Sequence, residues 1–286
     1  MSISGKAKLA GIVGWPVSHS LSPRLHGYWL AAHAIDGAYV PLPVAKENFA
    51  RVTDGLRRMG FVGVNVTVPH KEAAFAIAHD LDESALIAGA VNLLLFREDG
   101  RIEGRNTDAG GLAASLQEAL GKSPLGKPAV LLGAGGAARA AVLALSQIGA
   151  RDIRIVTRDK RRGETLAREL STKVKTPLQT FGWDHWIDAA KEAALLVNAT
   201  SAGMTGAQAL DLPLDPLPVN ATVCDLVYNP PETDLLRRAQ ASGHRTVDGL
   251  GMLMYQAVPA FEAFYGEAPK VNPALRAELK KGLRGG

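Results

Sequence analysis

Hydrophobic and polar positions follow two rhythms along this chain. Short apolar runs recur at Lys8–Val13, Ala38–Val44, Gly63–Val68, Ala129–Leu132, Ile153–Thr157, Leu195–Asn198 and Thr222–Leu226, each of strand length. Between them, helical spacing covers Pro23–Ala34, Glu47–Met59, Lys71–Ala78 and Ala109–Ala119. AVNLLLF from Ala90, the turn REDG and the following RIEG predict a β-hairpin. GKSPLGKP reads as a surface connector, and the Pro-rich DLPLDPLPVN from Asp211 as a loop. Strands alternating with helices predict an α/β protein with parallel sheets covered by helices on both faces. The most apolar stretch, Ala129–Ala150, is interrupted by a Gly-rich turn and carries Arg139, so it predicts strand–turn–helix and not a membrane span.

Length turns this pattern into two domains, because 286 residues exceed what one core usually holds, about 250. Lys and Arg number 32 against 28 Asp and Glu, a net +4 too diffuse to predict nucleic-acid binding but compatible with a small anionic ligand. Aromatic residues are 6%, too few for a base-stacking surface. The single cysteine, Cys224, excludes an intramolecular disulfide and any zinc site built on several cysteines; inside TVCDLV it reads as a small buried hydrophobe. MSISGKAKLAGIVGW has no apolar core with a cleavage signal, so a cytoplasmic location is expected. His19, His26 and His33 recur at equal spacing without an H-E-x-x-H or a cysteine partner, and no metal is expected. Trp15, Trp29, Trp183 and Trp186 read as packing residues.

The clearest chemical signal is GAGGAA, Gly133 to Ala138, directly after the apolar run AVLL. It fits G-x-G-x-x-G/A, where glycines permit a tight turn and close approach to a pyrophosphate, and the following helix offers unpaired N–H groups. The next strand ends in IVTRDKRR, where the ribose of a dinucleotide is read. Asp159 there favours an unphosphorylated ribose, whereas Arg158, Lys160, Arg161 and Arg162 favour a 2′-phosphate, so NADP is expected with NAD as the alternative.

A second group lies in the N-terminal half. In HSLSP, Ser22 is placed as an N-cap before Pro23, and Ser20 stands two residues earlier, so two hydroxyls face a helix N-terminus. That arrangement suits a carboxylate, or a plain cap. In GVNVTVPHK, Asn65 and Thr67 share one strand face, Val64, Val66 and Val68 the other, and Lys71 follows Pro69. GRNTDAGG sets Asn106, Thr107 and Asp108 before a helix, where Asp108 is a cap or, paired with Lys71, part of a proton relay.

In chain order, HSLSP, NVTVPHKEAAF, AGAVN, GRNTD, GAGGAARA, NATSAGM, DLVY and DGLGMLMYQA resemble shikimate dehydrogenase, from about Gly11 to Phe264. The resemblance implies a substrate-binding catalytic domain over 1–107, a Rossmann-like NADP-binding domain over 108–248, and C-terminal helices over 249–286 that return to the first domain. It implies NADPH-dependent reduction of 3-dehydroshikimate to shikimate in aromatic amino-acid biosynthesis, with a small-molecule substrate, no nucleic-acid or membrane partner, and a homodimer as one assembly. Lys71 and Asp108 would be the catalytic pair. Ser20 and Ser22 would take the carboxylate, and Thr67, Asn92, Asp108, Tyr228 and Gln256 the ring hydroxyls. Gly133, Ala134, Gly135, Gly136, Ala137, Thr157, Arg158, Asp159, Arg162, Leu226 and Gly249 would contact the dinucleotide.

Three positions depart from the family pattern. The usual Asn-Arg-Thr at the ribose site is Thr157-Arg158-Asp159, the usual Thr after AGAVN is Leu93, and Pro259 falls inside the helix carrying Gln256, where a kink toward Tyr255 is expected. The alternatives are a quinate/shikimate dehydrogenase preferring NAD and a non-catalytic NADP-sensing protein on the same fold; a sensor would need neither Lys71 nor Asp108.

Overall fold

The computed structural model describes residues 3–284. The chain forms two compact units, one of residues up to Thr107 together with those from Gln256 on, the other Asp108–Tyr255. The second division falls inside one helix, Gly249–Tyr265, so its opening turns count with the second unit and the remainder with the first. That helix runs on through Pro259, although proline leaves one carbonyl of the preceding turn without its backbone donor.

The first unit is built on six strands, β1 (Lys8–Gly14), β2 (Gly37–Pro43), β3 (Phe61–Val66), β4 (Asp80–Leu81), β5 (Leu93–Phe96) and β6 (Ile102–Arg105). Their order is β2-β1-β3-β5-β6-β4. The sheet is mixed and not wholly parallel: β1 runs parallel to β2 and β3, but β5 lies antiparallel to both β3 and β6. The short REDG connection accounts for the β5–β6 reversal, since it can join only antiparallel neighbours. β3 stops at Val66, and Val68 is exposed at 68%, so it does not continue the apolar face expected for it. Val13, Val64, Val66, Val91 and Leu94 form a core with Phe49 and Leu56 of the helix Phe49–Arg58. Short elements over Asp80–Leu81 and Glu83–Ala88 carried no periodic signal long enough to predict; Asp82 starts the latter by accepting from Ala85 N–H at 2.7 Å.

The second unit holds β7 (Ala129–Leu132), β8 (Ile153–Thr157), β9 (Leu178–Gly182), β10 (Leu195–Asn198), β11 (Thr222–Asp225) and β12 (Arg245–Val247), in the order β12-β11-β10-β7-β8-β9. Every pairing is parallel. Buried on both faces, β7 reads as the continuous run AVLL instead of an alternation. Strand order reverses between β7 and β10, which opens a crevice beyond their carboxyl ends, where such sheets hold ligands. Cys224 is buried on β11, and burial pushes its thiol up. Trp29 and Trp186 are core residues, but Trp15 is 53% exposed and lies outside the core.

Candidate functional site

In the first unit the register brings distant motifs to one end of the sheet. Asn65 of β3 pairs with Leu93 of β5, and Leu93 pairs with Arg105 of β6. The residues just beyond those ends, Thr67, Asn92 and Thr107, therefore emerge side by side. Asn92 Oδ1 accepts from Thr107 N–H at 2.8 Å, and Asn92 Nδ2 donates to Thr107 Oγ1 at 2.9 Å. Gln256 joins them through Oε1, 3.5 Å from Asn92 Nδ2 and 3.4 Å from Thr107 Oγ1. Asn92 and Thr107 are buried and Gln256 half-buried, so a polar cluster survives at the edge of an apolar core because its members satisfy one another.

Lys71 is the first residue of the helix Lys71–Ile77 and is half-buried. Its carbonyl accepts from Val91 N–H at 2.9 Å, which ties the lysine backbone to the strand entering Asn92. His70, one residue before it, is fully buried; Nε2 lies 2.7 Å from the Val44 carbonyl and the ring stacks on Phe49 at 4.7 Å. These contacts fix where the helix starts and hence where Lys71 stands.

Ser20 and Ser22 flank the start of the helix Ser22–Ala32, but the cap differs from expectation. Leu21 occupies the cap position, and Ser20 Oγ accepts from Ser22 N–H at 3.2 Å. Ser22 is buried beside the buried Tyr39 phenol, whose titration its hydroxyl influences. Tyr39 donates to Asn65 Oδ1 at 2.8 Å, and Asn65 Nδ2 donates to the Asn92 carbonyl at 3.2 Å. A buried chain thus links Tyr39, beside Ser22, to the Asn92 cluster. Tyr39 and His70 were not among the expected site residues, and Asn65 and Thr107 stood in the candidate motifs without an assigned role. The available signal was a polar side chain on or ending an apolar run.

The second unit gathers the glycine turn and the ends of β8, β9, β10 and β11. Gly133 has φ +104, and a Cβ there would meet Thr200 Cγ2 at 3.0 Å and the Ala199 carbonyl at 3.3 Å, so the turn requires glycine. Gly135 and Gly136 face open space, and the helix Gly136–Gln147 has no side-chain cap. Its first N–H groups and positive dipole end are left for an anion, so a pyrophosphate fits this loop.

Asp159 has a role the charge pattern did not reveal. It is the N-cap of the helix Lys160–Leu170, its carboxylate accepting from Arg162 N–H at 3.3 Å. Arg158 and Arg162 are exposed, and Arg158 Cζ sits 5.6 Å from the centre of the Trp183 ring. Gly133, Thr157, Arg158, Trp183 and Thr200 line a cavity of about 370 Å³.

Leu226 and Gly249 meet directly: a Cβ on Gly249 would strike the Leu226 carbonyl, so only glycine allows this approach. The loop bearing Leu226 and Tyr228 is held by Asp225, which accepts from Thr233 Oγ1 at 2.6 Å, Asn198 Nδ2 at 2.9 Å and Val227 N–H at 3.1 Å. Burial raises the Asp225 carboxyl against those bonds. Burial likewise raises the Tyr228 phenol, keeping it protonated as a donor. Asp108 opens the helix Asp108–Leu120 and is buried. Among the described residues, no group of three or more His, Cys, Asp or Glu is placed to hold a metal ion, and no helix is long and apolar enough to cross a membrane.

The family profile "Shikimate dehydrogenase substrate binding domain" matches residues 12–94. The shikimate dehydrogenase (NADP(+)) of Paramagnetospirillum magneticum is 51% identical over 276 residues, covering 96% of this chain and 99% of that protein. The protein of the same name from Acidiphilium cryptum is 47% identical over 285 residues, covering 100% of both chains. Among solved structures, Thermus thermophilus shikimate 5-dehydrogenase in complex with NADP(H) and shikimate is 35% identical, with a TM-score of 0.83 over 97% of this chain and 98% of that one.

Proposed function

Because the chain belongs to the shikimate dehydrogenase family, we propose that it catalyses the reversible reduction of 3-dehydroshikimate to shikimate with NADPH. The observation that carries this reading is the 51% identity, across 96% of the chain, to a relative named for shikimate and NADP(+). The first unit binds the substrate and the second the dinucleotide.

When bound, NADPH supplies the hydride that the ring carbonyl carbon receives. Lys71 donates a proton to the carbonyl oxygen as it becomes a hydroxyl, with Asp108 as the second member of the proton-handling pair. Ser20 and Ser22 bind the substrate carboxylate at the start of their helix, and Thr67, Asn92, Asp108, Tyr228 and Gln256 hold its hydroxyls. The Asn92–Thr107–Gln256 cluster supports that role, because its bonds fix each amide before substrate arrives. Gly133 to Ala137 would hold the pyrophosphate, Leu226 and Gly249 would flank the nicotinamide half, and Thr157, Arg158, Asp159 and Arg162 would form the ribose end.

Arg158 and Arg162 read the 2′-phosphate, Arg158 as a planar donor fork. Asp159 contributes through its cap, which orients Arg162 at the start of the helix. A cytoplasmic location and a homodimer belong to the same reading. An absorbance assay of the nicotinamide crossing shikimate and quinate with NADP+ and NAD+ tests the proposal. Shikimate with NADP+ should give the highest kcat/KM. Turnover led by quinate with NAD+ would favour the alternative dehydrogenase, and no turnover with any pair would favour a binding protein.

A further inference from the structure

We propose that Trp183 is a specificity-determining positioning residue, which holds the Arg158 guanidinium so that the second unit selects a 2′-phosphorylated adenine dinucleotide. This rests on the reading of Arg158 as the 2′-phosphate contact.

The placement follows from strand register. β8 and β9 are parallel, and Thr157 pairs with Gly182 at their carboxyl ends. The next residue on each strand is Arg158 and Trp183, so the two side chains leave the sheet as neighbours at the ligand-bearing edge. Trp183 begins a short 3₁₀ turn, Trp183–His185, and is packed against the buried cluster containing Trp186, Leu196 and Leu210. Its indole is therefore a fixed surface. Arg158 is exposed, and a free arginine loses rotamer entropy on being fixed. The Trp183 ring, with Arg158 Cζ 5.6 Å from its centre, offers the guanidinium a π face to rest on before a ligand binds. Both residues also line the cavity beside the Gly133 turn, and Asp159 is engaged in its helix cap. A guanidinium lying on an indole keeps its N–H edges outward, the geometry a phosphate needs.

Tryptophan therefore acts on the phosphate through arginine, and its loss should be felt by one cofactor only. In Trp183→Ala, the dissociation constant for NADP+ measured by calorimetry should rise roughly 3- to 10-fold, the size of a partly exposed cation–π contact, and that for NAD+ should stay within about 2-fold. Trp183→Phe keeps a π face and should recover most of the loss; it also serves if the alanine variant is poorly folded. Combined with Arg158→Ala, the tryptophan change should add nothing further to the NADP+ constant. Equal weakening of NADP+ and NAD+, or full additivity with Arg158→Ala, would overturn the inference by making Trp183 an adenine contact or a packing residue. An Arg158→Ala variant that binds NADP+ as tightly as wild type would instead overturn the underlying assignment of Arg158.

Discussion

His26 makes the stability of the first unit depend on acid in a way that can be calculated. It is fully buried on the helix Ser22–Ala32, stacked on Tyr39 at 3.8 Å, with Trp29, Phe261 and Phe264 also around it. Neither ring nitrogen has a hydrogen-bond partner among the described residues. Burial with no compensating acceptor pushes its pKa down to about 3 from the ordinary 6.5. The folded protein thus keeps His26 neutral while the unfolded chain takes up a proton below about pH 6.5. The unfolded state binds more protons, so stability falls as pH falls between those values, by up to about 1.4 kcal/mol per unit. Integrated from pH 7 to pH 5, the loss is about 2 kcal/mol. The perturbation is His26→Leu, which keeps an apolar side chain of similar size and removes the titration. Urea unfolding of both proteins should show wild type losing about 2 kcal/mol relative to the variant over that interval. Parallel stability curves for the two proteins would refute the reasoning, because they would mean that His26 is solvated or paired in the folded state.

Other outcomes follow from the two units. Lys71→Ala should lower kcat by about 10²–10⁴ with a much smaller change in KM, and near-normal turnover in stopped assays would remove Lys71 from proton transfer. Ser20→Ala and Ser22→Ala should each weaken shikimate binding by roughly 10- to 150-fold, the worth of a hydrogen bond to a charged group, and the methyl ester of shikimate should be a poor substrate for wild type. Asp159→Ala should cost about 1 kcal/mol in thermal unfolding through loss of its cap, whereas Asp159→Thr keeps a capping oxygen, retains stability and widens the preference for NADP+ measured as a ratio of kcat/KM.

Local features of this protein were legible because local physics produces them. AVLL followed by GAGGAA could be read as strand, turn and helix, since the apolar run, the glycines and the Ala-rich segment each restrict a few adjacent residues. The order of motifs along the chain also points to the family, and with it to the expected site residues. The sense of the strands in the first sheet was not legible beyond the hairpin, because pairing joins segments far apart and depends on what covers each face. Tertiary structure likewise decided the use of individual polar side chains. Asp159 looked like a charge opposing a phosphate, but the chain direction at the end of β8 turns its carboxylate onto Arg162 N–H. Ser22 looked like a cap, but Leu21 takes that position, and packing of the helix on β2 sets Ser22 beside Tyr39. Trp183 and Arg158 became partners only through the Thr157–Gly182 register. Sequence limits what each side chain can bond to; which partner comes within reach is fixed by contacts between residues distant along the chain, and those exist only in the folded protein.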